Sequence, residues 1–93
     1  MKYDKNTAVD SARRDLSHRL GIDIEEISVT AVEERDFPDM SLGAPVEDEM
    51  AAQMITTGWL IKLRAKDKAY QYRADKYQLR LVDFEGNNYV VSA

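Results

Sequence analysis

The 93 residues, 44% hydrophobic and 32% charged, suffice for one domain over residues 1–93 with a modest core. They leave no room for a large enclosed pocket. The lack of cysteine excludes disulfides, thiolate metal sites and cysteine nucleophiles. The net charge of −4 is unevenly spread: ten acids against Arg35 make residues 21–56 −9, while residues 1–20 carry +2 and 57–93 carry +3. An acidic middle between mildly basic ends argues against a nucleic-acid partner, which needs a basic surface that releases counterions.

No apolar run approaches the roughly 20 residues that span a bilayer, so no membrane insertion is expected. Met1–Asn6 contain no apolar h-region, so no signal peptide is expected. With no cysteine, the expectation is a cytoplasmic protein.

A helix is expected over 7–20. Asn6 or Thr7 is the candidate cap, and Val9, Ala12, Leu16 and Leu20 form one apolar stripe. Gly21 is placed to close it. Ile22–Glu26 reads as a short turn. Ile27, Val29 and Ala31 alternate with Ser28, Thr30 and Val32, which predicts a half-buried strand over 27–35.

Residues 36–46 hold both prolines, Pro38 and Pro45, and read as a loop. Residues 47–54 fit a helical turn or a structured loop equally well. From Gly58, Trp59, Ile61, Leu63 and Ala65 alternate with Leu60, Lys62, Arg64 and Lys66, predicting a strand. Asp67-Lys68 is the candidate turn into a second strand carrying Tyr70, Tyr72 and Ala74. Leu79, Leu81 and Phe84 belong to a third strand. Glu85–Asn88 is a turn, and Tyr89–Val91 makes a final strand.

The expected fold is α+β: an N-terminal helix packed on one face of a four- to five-stranded antiparallel sheet. The other face is left wet or paired with another subunit. The expected core is Val9, Leu16, Leu20, Trp59, Ile61, Leu63, Tyr70, Tyr72, Leu79 and Leu81.

Catalytic chemistry finds little support. The one histidine, His18, falls on the solvent face of the helix, without the nucleophile and orienting group that an active imidazole needs. Gly43 lacks the spacing and the Lys-Ser/Thr of a phosphate-binding loop. Ser41 sits in no nucleophile elbow. The tyrosines at 70, 72, 77 and 89 lack the basic groove that accompanies base stacking. The acids of 23–49 are numerous enough to ligate a hard cation such as calcium, but no run has the D-x-[DN]-x-[DN]-G spacing. The expectation is no enzyme and no cofactor.

Phe37-Pro38-Asp39-Met40-Ser41-Leu42-Gly43-Ala44-Pro45 resembles a family pattern, W-P-D-x-S-L-G-C-P. Residues 51–61 are similar to that family's "YAQVLTPGY-x-I" stretch. Tyr70-Gln71-Tyr72-Arg73-Ala74-Asp75 is similar to its "Y-x-Y-x-x-D", and residues 12–22 to its "A-x-x-D-L-A-x-R-L-G-I". The family is one of small, mostly bacterial domains, often in exported proteins and without established activity. Its layout is similar to cystatin-like and PepSY-like domains by analogy of fold alone. Phe37 stands where the pattern has tryptophan, and Ala44 where it has cysteine. Asp83 stands near the position of the expected partner cysteine. The disulfide that the resemblance implies is therefore absent, and export becomes doubtful with it. Pro38, Pro45 and burial of Phe37 and Leu42 are left to hold the loop.

Two readings of that loop stand side by side. In one, the chain is a non-enzymatic binding or regulatory module. Phe37, Asp39, Met40, Ser41, Leu42 and Gly43, with Trp59, then face a protein partner, or a second copy through self-association. In the other, the loop plugs the end of its own core. The alternative function is a small-ligand or calcium site built from the acidic 23–49 region.

Overall fold

The computed structural model describes residues 2–93, which form helix α1 (Lys5–Leu20), a single 3₁₀ turn at Ile24–Glu26, and five strands. These are β1 (Ser28–Phe37), β2 (Thr56–Ala65), β3 (Lys68–Ala74), β4 (Leu79–Phe84) and β5 (Asn87–Ser92). The strands form one antiparallel meander in the order β1-β2-β3-β4-β5, with α1 on one face. This is the expected α+β fold. Among the described residues, no helix is long and apolar enough to cross a membrane.

The helix starts earlier than its stripe suggests. Asp4, not Asn6 or Thr7, is the cap: its Oδ1 accepts the Thr7 N–H at 2.9 Å, and Thr7 Oγ1 accepts the Asp4 N–H at 2.9 Å. This reciprocal pair satisfies two of the donors that a helix start leaves open. Gly21 closes the other end, its N–H bonded to Ser17 O at 2.9 Å. Ala8, Ala12 and Leu16 are buried, while Val9 and Leu20 are half-buried at the flanks. His18 is exposed, as expected.

Opposed residues of an antiparallel pair share a face, so the register sorts the side chains. Ile61 opposes Tyr72 and Val32, Leu63 opposes Tyr70, and Tyr72 opposes Leu81. With Leu16, Ile27, Ala74 and Leu79 they build the main core under α1. Tyr72 is fully buried, yet its hydroxyl donates to Asp15 Oδ2 at 2.7 Å. Burial, with that carboxylate beside it, pushes the hydroxyl well above the usual phenol range. Arg19 binds the same Asp15 oxygen at 2.7 Å and lies 4.6 Å from the Tyr89 ring centroid, tying the helix end to β5.

Three expectations need correction. β1 runs on to Phe37, so Asp36 and Phe37 belong to a strand rather than to the loop. A bulge between Val29 and Ala31 breaks the simple alternation, and Val32, not Ala31, packs against the main core. The β2–β3 turn is Lys66-Asp67, at φ 50° and 63°, with Lys68 already paired to Ala65. Both central residues are left-handed, the geometry that matches strand twist in a two-residue hairpin. The undecided segment carries a turn at Glu47-Asp48 and then runs irregularly to β2, which begins at Thr56.

Candidate functional site

The loop of residues 38–55 folds back over the face of the sheet opposite α1. Phe37, Leu42 and Leu60 form a second, smaller core there, with 4%, 0% and 3% of their surface exposed. Beneath the loop, Arg73 of β3 and Arg80 of β4 are directly opposed. Like charges in that position repel, and the loop supplies what offsets the repulsion. Arg73 Nη1 donates to Leu42 O at 2.8 Å, and its guanidinium lies 5.5 Å from the Phe37 ring centroid. Arg80, 4% exposed, donates through Nη1 to Ala44 O at 3.1 Å. It also grips Glu49 with both ends of its fork, at 2.5 and 2.6 Å. The Arg80 guanidinium holds the Glu49 carboxyl below the usual carboxylate range.

Asp39 builds the tip. Its Oδ1 accepts from Ser41 Oγ at 2.5 Å, Ser41 N at 2.9 Å and Gly43 N at 3.1 Å. Donation by the Ser41 hydroxyl, and then by the Gly43 N–H, holds the Asp39 carboxyl low. The chain turns through consecutive left-handed residues, Leu42 at φ 59° and Gly43 at φ 67°. A Cβ on Gly43 would also lie 2.8 Å from Arg73 Nη1. The spacing Asp-x-Ser-Leu-Gly is thus a folding instruction for one tight turn. Further along, Asn88 Nδ2 donates to Pro45 O at 2.9 Å while its Oδ1 accepts the Asp83 N–H at 2.8 Å. Asn88 therefore ties the end of the loop to β4 by hydrogen bonds, beside the place where the sequence resemblance implies a disulfide.

The candidate residues separate into three groups. Phe37, Ser41 and Leu42 are buried and face inward, while Gly43 is exposed and shapes the turn, where an added Cβ would meet Arg73. Asp39 is half-buried and committed to the turn. Met40 is 47% exposed. Trp59 lies on the other face of the sheet, half-buried against the main core, and is not brought to the loop. Gly58 beside it marks a close crossing: a Cβ there would stand 2.0 Å from Ala74 O.

The pattern reading missed Met50, Met54 and Ile55, exposed at 98%, 62% and 76%. The structure brings part of this segment to the tip. Ala52 O accepts both the Met40 N–H at 3.0 Å and the Met54 N–H at 2.9 Å. Gln78 Nε2 holds Met40 O from the other side at 2.7 Å, and its neighbour Tyr77 is exposed. The signal was available in the sequence, since three of the four methionines fall in this loop, and none of the buried residues among those described is methionine. The acids of 23–49 do not converge. Among the described residues, no group of three or more His, Cys, Asp or Glu is placed to hold a metal ion.

No curated protein and no solved structure matches the chain. Residues 9–82 match one family model, so the helix, the loop and the first four strands belong to a shared pattern, and the chain is a member of the family described as Domain of unknown function (DUF8738).

Proposed function

We propose that the chain is a non-enzymatic protein-binding module whose contact surface is the outer side of the 38–55 loop. One observation carries this reading: Met40, Met50, Met54 and Ile55, four of the seven large hydrophobic residues exposed on the described surface, lie in this single segment. A water-soluble surface has no internal use for such a concentration, and methionine adapts its shape to a partner. Residues 40–45 are pinned from beneath by Arg73, Arg80, Gln78 and Asn88, so the Met40 end of the surface is held in place before any partner arrives. Residues 36–56 add five acids and no base. A basic, amphipathic segment of another protein complements that chemistry, its apolar side on the methionines and its lysines or arginines toward Glu47 and Asp48.

The test is titration of the isotopically labelled chain with a lysine- and leucine-rich amphipathic peptide, read by NMR. Shifts centred on the methyl groups of Met40, Met50, Met54 and Ile55, and lost in Met50→Ser/Met54→Ser, are expected. Shifts spread evenly over the surface, or none at millimolar peptide, would sink the reading.

A further inference from the structure

β1 stands at one end of the sheet, paired with β2 on one side only. Which of its main-chain groups face outward follows from the hairpin beyond β2. The two-residue turn Lys66-Asp67 is closed by Ala65 and Lys68, and the pair that closes such a turn exchanges both main-chain bonds. Alternation along β2 then commits Ala65, Leu63, Ile61 and Trp59 to β3, and Lys62, Leu60 and Gly58 to β1. The partners of those last three are Ala31, Glu33 and Arg35. Val32, Glu34 and Asp36 therefore turn N–H and C=O away from β2, and none of these groups has a main-chain partner among the described residues. Glu34, Arg35 and Asp36 are exposed, and α1 packs chiefly over β2 and β4, away from this edge. An open strand edge is a template for another strand.

The edge has two stops. Thr30 bulges out of the ladder at one end, and Pro38, with no N–H, follows the strand at the other. Residues 31–37 lie between, with Glu34 at their centre. An antiparallel copy of the same strand overlaps this whole stretch in one register, with Glu34 opposite Glu34 of the second copy. The outward main chains of Val32, Glu34 and Asp36 then meet those of Asp36, Glu34 and Val32, and Glu33 lies opposite Arg35 in both directions. Glu33 already lies 2.9 Å from Arg35 of its own strand, so the joint alternates two acids with two bases. Positions between the hydrogen-bonded pairs stand closer, at about 4.5 Å between Cα atoms against about 5.5 Å. The two Glu33–Arg35 contacts take the close positions. The single Glu34–Glu34 repulsion takes the wide one, where exposed side chains swing into solvent. A shift by two residues either way shortens the ladder and sets Glu33 against Glu33 or Arg35 against Arg35, which repel. Strand length and charge thus select the same register.

We propose that β1 is a self-pairing edge: a second copy of this chain adds antiparallel across residues 31–37, about a two-fold axis through Glu34, with Glu33 and Arg35 paired across the joint. Strand addition supplies the main-chain bonds, and the crossed charges supply the register. This contact is separate from the methionine surface and does not depend on it.

The test is sedimentation equilibrium of the full chain up to roughly 1 mM, with amide exchange followed over the same concentrations. A weak dimer is expected, dissociating further as salt is added, with slower exchange at Val32, Glu34 and Asp36 as the concentration rises. Arg35→Glu and Glu33→Arg, both at the sheet edge and outside the core, should each raise the dimer Kd about tenfold or more. Mixed together, the two variants should form a mixed dimer, because every acid at the joint again meets a base. Glu34→Gln should tighten the parent dimer. The proposal is overturned if the chain stays monomeric throughout, if Arg35→Glu leaves the dimer untouched, or if the two variants fail to combine. It is also overturned if Met50→Ser/Met54→Ser removes the dimer instead, because the contact then belongs to the methionine surface.

Discussion

On the helix face of the sheet, Leu16, Ile61, Leu63, Tyr72, Leu79 and Leu81 lose all their exposed surface to one another. On the opposite face Phe37, Leu42 and Leu60 form a much smaller cluster. The rest of that covering is a loop resting on two opposed arginines, held by main-chain carbonyls, one carboxylate and two side-chain amides. Apolar burial is non-directional and tolerates small shifts. A platform of charge-assisted hydrogen bonds holds one geometry and fails if a partner is removed. The helix face therefore carries the stability, and the loop face carries a defined surface at little cost to the core.

Several substitutions would break or sharpen that contrast. The largest loss is expected on the helix face: Leu81→Ala should cost about 2–5 kcal/mol by leaving a cavity, seen as a lower melting temperature for the whole chain. Gly58→Ala should approach it at about 3 kcal/mol, because its Cβ would meet Ala74 O at 2.0 Å and force β2 from β3.

Arg80→Ala should cost less, about 1–3 kcal/mol. The loss should be local, with faster hydrogen exchange in residues 40–55 before any change at Tyr72. Equal acceleration at both places would mean that the two faces unfold as one unit. Gly43→Ala should cost about 1–2 kcal/mol through its left-handed backbone, again read in the loop first.

Acid should loosen the same region. Asp39 and Glu49 are held below their ordinary values of 3.8 and 4.5, so their contribution is full above those values and drains as the pH falls below them. Loop exchange should quicken below about pH 4, while the Tyr72–Leu81 core stays protected. The smallest effect belongs to Met50→Ser/Met54→Ser, within about 0.5 kcal/mol of the parent stability. A clear stabilisation or destabilisation there would show that the methionines pack on their own chain.

Periodicity and turn chemistry were enough for the helix, the strands from Gly58 onward and most of the core, because each depends on residues near in sequence. Leu16 with Ala12, and Ile61 with Leu63, report their face by spacing alone. The exceptions have local causes of their own. Asp4 caps the helix through Thr7, and the bulge in β1 moves Val32 to the core side, a slip that alternation does not reveal.

The loop face was far less legible. An arginine on the outward positions of a strand reads as a wet residue, and Arg73 and Arg80 gave no sign that a loop would cover them. Their partners lie 31 and 36 residues away in the chain, beyond the reach of any spacing rule. Asp39, Ser41 and Gly43 stood out as a motif, yet the pattern carried no information on whether they face outward or inward. Residue order and hydrophobic period settled the helix, the meander and the dry face. The pairing of distant charges with main-chain carbonyls settled which side of the loop is buried, and so which methionines meet the solvent.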